Sequence, residues 1–231
     1  QTLSGWNKLL SDKFSALVDP RLLLSKLTAK EKSLDSVPHG CTCKWNTKVT
    51  CRSLNLTEIP KHISRETTSL YLAVNEIEHI NHERLAMFDR LRVLSLQDNR
   101  LSNLTYNAFT SLDGLRKLYL GNNRINTIHI AAFRDLENLE WISLAGNPLE
   151  TLSVDIFTDV IELINLDLTG IEIANIDERM FRHLHKLHHI FVKYQAYCCH
   201  VPHFYYCHVD GEDTPLNKEQ VNTLCSNAND Y

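Results

Sequence analysis

A repeat of 24 residues runs through this 231-residue chain and constrains its fold more than any other feature. Two apolar columns open each repeat: Leu70, Leu94, Leu118, Ile142, Leu166 and Ile190, and then Leu72, Leu96, Leu120, Leu144, Leu168 and Val192. An asparagine column follows at Asn75, Asn99, Asn123 and Asn147, and Ile171 ends it. With three further apolar columns in the same register, the pattern is beyond chance and indicates stacked units of one kind.

The pattern L-x-x-L-x-L-x-x-N-x-L is that of the leucine-rich repeat. It predicts an α/β solenoid, a right-handed horseshoe with short parallel strands on its concave face and disulfide-capped ends. Alternate residues of a strand point to opposite faces, so the leucines of each L-x-L face the core. An asparagine amide can bond the backbone of neighbouring turns with both of its ends. The aromatic column is expected to fill the convex side with Phe109, Phe133, Phe157 and Phe181.

The repeat and the cysteines divide the chain into four expected regions. These are a partly helical linker (1–40), an N-terminal cysteine cap (41–66), repeats of 24 residues (67–190) and a C-terminal cap and hinge (191–231). In the linker, Trp6, Leu10, Phe14 and Leu17 have the spacing of one helix face. The polar stretch from Asp210 onward is expected to be a mobile tail.

Seven cysteines lie in two clusters on either side of a body without any. Such clusters are typical of disulfide caps on an oxidised, secreted protein. Two sequons, at Asn55 and Asn103, agree and are predicted glycosylation sites. The four C-terminal cysteines allow three pairings by sequence alone.

The first cluster, with the Leu54, Leu56 and Ile59-Pro60 that follow it, resembles an N-terminal leucine-rich-repeat cap. Such caps pair the first cysteine with the third and the second with the fourth. The resemblance therefore implies a Cys41–Cys51 bridge and leaves Cys43 either as a free thiol or paired outside this chain.

The two flanks resemble the relaxin-family peptide receptors more specifically. The last repeat reads LDLTGIEIANI from Leu166, and the flank reads IFVKYQAYCCHVPH from Ile190, with Cys207 nine residues after Cys198. Near the start, Gly5-Trp6 and Ser11-Asp12-Lys13-Phe14 are similar to the linker of these receptors. The resemblance favours a Cys198–Cys207 bridge, which leaves Cys199 for Cys225.

This resemblance implies the extracellular ligand-binding region of a G-protein-coupled receptor for relaxin or insulin-like two-chain peptide hormones. The resemblance places the chain on the outer side of the plasma membrane. A G protein would be engaged only through a transmembrane part that is absent from this chain. The alternative is a secreted leucine-rich-repeat binding protein, either a hormone trap or a matrix protein. No segment of this chain is expected to insert into a membrane, because none has 18 consecutive apolar residues.

Hormone contacts are expected on the concave face, with help from the linker. The concave candidates are Tyr71, Tyr119, Trp141 and Phe191, because aromatic residues are enriched at binding hot spots. Asp167 is a further candidate, because it places a carboxylate in the same columns of concave strand positions. Trp6 and Phe14 are the linker candidates, and packing of that segment on the solenoid is the competing interpretation.

Other functions find no support in the sequence. No nucleophile–base pair or carboxylate pair indicates an enzyme, and no cofactor motif occurs. The net charge of −4 argues against nucleic acid. The histidines at 183, 185, 188 and 189 and near the last cysteines suggest zinc, but their spacing is irregular and oxidised cysteines are not ligands, so no metal is expected.

Overall fold

The computed structural model of the chain describes residues 37–45, 47–173, 176–202 and 204–228. Within this part, one ten-stranded sheet dominates. Its strands are β1 Thr42–Lys44, β2 Lys48–Thr50, β3 Ser69–Tyr71, β4 Val93–Ser95, β6 Lys117–Tyr119, β8 Trp141–Ser143, β9 Asn165–Leu168, β10 His189–Val192, β11 Tyr206–Val209 and β12 Leu216–Asn217. Every neighbouring pair from β2 to β11 is parallel, and the two end pairs are antiparallel.

The register of the sheet confirms the repeat. Leu70 lies opposite Leu94, Leu94 opposite Leu118, and the same step continues to Ile190. The side chains of this column are fully buried, so each strand contributes its apolar side to one continuous core. The fold is the leucine-rich-repeat solenoid that the sequence predicts.

The side opposite the main sheet is built mostly from turns. It holds the two-stranded sheet of β5 Asn103–Leu104 and β7 Thr127–Ile128, the one-turn helix α1 His82–Leu85 and the 3-10 helix Glu178–Phe181. Its core is the aromatic column, in which the rings of Phe109, Phe133, Phe157 and Phe181 stack at centroid distances of 6.2, 6.3 and 6.5 Å. These rings are at most 1% exposed, which confirms their predicted packing role.

The asparagine column ties consecutive repeats together. The Asn123 amide donates to the carbonyl of Leu96 in the preceding repeat at 2.9 Å and to that of Leu120 in its own at 2.9 Å. Its oxygen accepts the N–H of Leu101 at 3.1 Å. Asn75, Asn99 and Asn147 make the same kinds of bond. The amide thus satisfies backbone groups that the turn would otherwise bury unpaired.

The residue before each column asparagine, and before the Ile171 that ends the column, has left-handed backbone geometry. The φ angles are 58° at Val74, 54° at Asp98, 53° at Asn122, 63° at Gly146 and 72° at Gly170. Glycine, asparagine and aspartate tolerate this region, whereas a β-branched residue is strained there. Four of the five repeats therefore carry a suited residue, and Val74 is the exception.

Three disulfides close the two ends. Cys41 is bonded to Cys51, Cys198 to Cys207 and Cys199 to Cys225, which are the pairs that the two resemblances imply. Cys43 is a free, half-buried thiol opposite Val49 in the β1–β2 hairpin. Cys198 and Cys207 are fully buried, so their bridge is part of the core.

The expectation of a mobile tail after Asp210 is wrong for residues 216–228. This stretch forms β12 and the helix α2 Lys218–Ala228. The side chains of Asn217 and Gln220 bond each other's backbone N–H at 3.0 and 2.9 Å, which is a capping box that starts the helix. Val221 is buried and Cys225 is bonded to the 3-10 helix Gln195–His200, so α2 is anchored against the solenoid end.

Candidate functional site: the concave face

The concave face carries the side chains that alternate with the core leucines along each strand. One row of this face lies one residue after the buried leucine column on each strand. From β2 to β11 it consists of Thr50, Tyr71, Ser95, Tyr119, Ser143, Asp167, Phe191 and His208. Tyr71, Tyr119, Phe191 and Asp167 are all half-buried members of this row, and Trp141 is half-buried in the row before it. The sequence thus places its concave candidates on one face.

Three of these candidates form a continuous aromatic strip with one residue that the sequence reading missed. The ring of Trp141 lies 6.1 Å from Tyr119 and 6.0 Å from Phe191. Phe191 stacks on His208 at 4.2 Å. We call Tyr119, Trp141, Phe191 and His208 the aromatic strip. It crosses the sheet from β6 to β11 and offers a partly apolar surface with polar edges.

A pair of imidazoles extends the strip at its C-terminal end. His189 Nδ1 and His208 Nε2 are 3.0 Å apart, which requires one nitrogen to donate and the other to accept. Burial, and then the charge of His189, lower the pKa of His208, so its ring favours the neutral form. The His189 ring also stacks on Tyr206 at 5.4 Å. The alternation Tyr206-Cys207-His208-Val209 was the available sequence signal for this extra strand.

Tyr71 lies at the other end of the face. Its ring is 4.9 Å from the ammonium of Lys48. Tyr71 and Tyr119 line one groove of about 450 Å³ together with Lys48, Arg52 and Lys117. Burial, and then the neighbouring Tyr71, raise the pKa of Tyr119, so its hydroxyl stays protonated as a hydrogen-bond donor.

The two carboxylates of this region are already engaged. Asp167 accepts the hydroxyl of Ser143 at 2.7 Å and the N–H of Thr169 at 3.1 Å. Asp98 accepts the amide of Asn122 at 3.0 Å. Contact of Asp167 with a ligand stays a prediction, and it would have to share the carboxylate with these donors.

The remaining predicted residues lie elsewhere. Trp6 and Phe14 lie outside the described residues, so their hormone contact stays a prediction. Asn55 and Asn103 are exposed and belong to no strand of the main sheet.

Two other features bear on function in the part of the chain that the structure describes. No group of three or more His, Cys, Asp or Glu side chains there is arranged to hold a metal ion. In that same part, no helix has the length and apolar character needed to cross a bilayer.

Comparisons with known proteins support the repeat and the cap. Residues 38–64 match the leucine rich repeat N-terminal domain, and residues 89–149 match the leucine rich repeat. The human leucine-rich repeat-containing protein 3B is 41% identical over 69 residues, which is 29% of this chain and 27% of that protein. Mouse podocan is 38% identical over 63 residues, which is 27% of this chain and 10% of that protein.

Among solved structures, a crystal structure of a TLR13–ssRNA13 complex is similar with a TM-score of 0.56. The likeness covers 60% of this chain and 21% of that one, at 24% identity, and therefore shows the fold alone. This chain spans about a quarter of the length of the 3B relative. Together with the disulfides, the N-terminal cap domain marks an extracellular type of leucine-rich-repeat protein, a fold typical of binding rather than catalysis.

Proposed function

We propose that this chain is the extracellular ligand-binding region of a receptor that takes a peptide or protein ligand on its concave face. The observation that carries the proposal is the aromatic strip. Half-buried aromatic rings held on rigid strands supply contact area at little entropic cost, and such rings are enriched at binding hot spots. Apart from Tyr71, the rest of the outward row consists of small or polar side chains, so the strip is the natural anchor.

The finer proposal is a two-chain hormone of the relaxin or insulin-like class as the ligand. Its support is the likeness of the two flanks to relaxin-family receptors. In the C-terminal flank, Ile171 is fully buried at the end of the asparagine column, and Cys198 is bonded to Cys207. Ile171, Cys198 and Cys207 all belong to the hydrophobic core.

The test is direct binding of the glycosylated 231-residue chain to a panel of two-chain relaxin and insulin-like peptides. Trp141→Ala, Phe191→Ala and Trp6→Ala are measured beside the wild type, with Ile130→Ala as an exposed apolar control outside the concave strands. We expect one peptide to bind saturably and the two concave substitutions to weaken it about tenfold or more. Weakening by Trp6→Ala alone would move the site to the linker. If no peptide binds a folded chain, the hormone proposal fails.

A secreted binding protein is the second candidate. The family models match the cap and the repeats, which leucine-rich-repeat proteins of many functions share. The two candidates predict different coding sequence downstream of Tyr231. A transcript that continues into an apolar helix supports the receptor, and a stop codon near Tyr231 supports the secreted protein.

A further inference from the structure

The N-terminal half of the concave face is basic. Lys48 on β2 and Lys117 on β6 stand in one aligned row, with the uncharged Ser69 and Val93 between them. Arg52 lines the same groove, and no carboxylate is among the residues that line it. We call Lys48, Arg52, Lys117, Tyr71 and Tyr119 the basic groove.

The three cations of the basic groove have no ion-pair partner in the described part of the chain. Seven ion pairs occur there, and four of them join residues 24 apart in neighbouring repeats: Arg90–Glu66, Arg100–Glu76, Arg116–Glu140 and Lys186–Glu162. The step of 24 residues therefore places a carboxylate beside each of these four cations. Lys48, Arg52 and Lys117 are in none of the seven pairs.

The hairpin beside the groove adds unrelieved positive charge. Lys44 on β1 lies directly opposite Lys48 on β2. Like charges at directly opposed strand positions repel and destabilise the pair. An anion bound at this edge would relieve that repulsion, so the arrangement favours occupancy by negative charge.

From this arrangement we propose that the basic groove binds an acidic, extended peptide segment of the ligand. Lys48 and Lys117 lie about 14 Å apart across strands β2, β3, β4 and β6, because neighbouring strands are about 4.8 Å apart. A peptide laid across the strands spans that distance with about four residues, at about 3.3 Å each. Its carboxylates would meet the lysines at both ends, and its backbone would lie over the tyrosines and the amide of Gln97.

The floor of the groove favours a peptide over a sulfated polysaccharide. Tyr71 and Tyr119 offer aromatic faces with hydroxyls, which suit side chains and backbone together. The basic surface also ends at β6, where the aromatic strip begins, whereas a long polyanion needs a continued run of cations. The groove and the strip meet at Tyr119, so one ligand with an acidic segment beside an apolar one would occupy both.

This inference rests on the proposed concave binding site and specifies the charge of its ligand. The sequence-based candidate Asp167 would instead offer a carboxylate to a basic group of the ligand. On this face Asp98 and Asp167 bond to neighbours of their own, whereas Lys48, Arg52 and Lys117 are in no ion pair with a described residue.

The experiment measures binding of labelled hexapeptides to the full glycosylated chain at about 50 and about 500 mM NaCl, a range over which screening of charge changes strongly. The probe alternates Glu and Tyr, the matched peptide alternates Gln and Tyr, and a heparin-type sulfated hexasaccharide forms a third arm. The protein variants are Lys48→Gln/Lys117→Gln and the control Lys61→Gln/Arg124→Gln, which removes the same charge from exposed positions outside the groove. Circular dichroism verifies that both variants fold.

We expect the acidic peptide to bind saturably, and more weakly at high salt. The groove variant should lose about tenfold in affinity and the control less than about twofold. The proposal is overturned if the Gln peptide binds equally, if both variants behave alike, if the sulfated sugar binds in preference, or if no peptide binds at millimolar concentration. Hormone binding is measured separately, so the hexapeptide result can be interpreted even if the hormone proposal fails.

Discussion

The indole ring of Trp141 lies 6.0 Å from the ring of Phe191, although strand β9 separates the strands that carry them. Strand β9 presents Asn165 and Asp167 at this place, and neither residue brings a ring. The two rings therefore meet above β9 and form one continuous aromatic surface. The indole Nε1 is buried and has no hydrogen-bond partner among the described residues.

Replacing Trp141 with phenylalanine should change stability little. The substitution loses contact area but also removes a buried donor that has no acceptor, and such a donor costs about 1–3 kcal/mol. We expect the free energy of unfolding in urea to stay within about 1 kcal/mol of the wild type, and Trp141→Ala to lose about 3 kcal/mol. Equal losses in the two variants would show that the indole N–H is paired after all.

Asn123→Ala should be among the costly single substitutions. It removes the bonds to the carbonyls of Leu96 and Leu120 and leaves the buried N–H of Leu101 without its acceptor. We expect a loss of about 3 kcal/mol in the free energy of unfolding. Asn126 is exposed and lies outside the asparagine column, so Asn126→Ala should cost no more than about 0.5 kcal/mol. A small loss at Asn123 would contradict the bridging role of the column.

Val74→Asn should stabilise the protein. Val74 has a φ of 58°, and the equivalent positions in later repeats hold Asp98, Asn122, Gly146 and Gly170. Asparagine adopts this geometry with less strain than a β-branched residue, so we expect a gain of about 1 kcal/mol in the free energy of unfolding. Ile130→Asn places the same side chain at an exposed position without a positive φ and should bring no gain. No gain at Val74 would mean that its packing outweighs its strain.

The repeat, the asparagine column and the phenylalanine stack could be predicted from sequence because each depends on a fixed step of 24 residues. The strand β11 departs from this step, because Tyr206 pairs with His189 at a step of 17 residues, so only its own alternation could indicate it. His208 was therefore assigned to the cysteine-rich flank and missed as a neighbour of Phe191. The sequence analysis also missed that Lys48 and Lys117 have no ion-pair partner among the described residues, because this depends on which carboxylates the neighbouring repeats place beside them.

The helix α2 shows a different limit of the sequence reading. Its composition is polar, which suggested a tail, but Asn217 and Gln220 have the spacing of a capping box. Val221 and Cys225 then fix one side of a helix that otherwise faces solvent. Composition alone misled here, because two anchored residues are enough to hold a short helix at a solenoid end.

The pH dependence of stability should carry a contribution from His208. Its pKa is lowered in the folded protein by burial and by His189, so the unfolded chain binds its proton more readily. Stability is then fully present above the ordinary histidine pKa of 6.5 and falls as the pH drops below that value toward the folded pKa. Protonation of both rings would also break the contact between His189 Nδ1 and His208 Nε2, because two charged imidazoles have no acceptor.

Urea unfolding at about pH 7.5, 6.5 and 5.5 tests this contribution, because these values bracket the ordinary histidine pKa. We expect the wild type to lose stability toward the lowest pH and His208→Gln to lose clearly less, since glutamine does not titrate. His79 is exposed and lies outside the concave strands, so His79→Gln should keep the wild-type slope. His208→Gln also removes the partner of His189, so a difference between its slope and that of the wild type reports on the imidazole pair. Parallel slopes in His208→Gln and the wild type would show that the imidazole pair does not resist protonation.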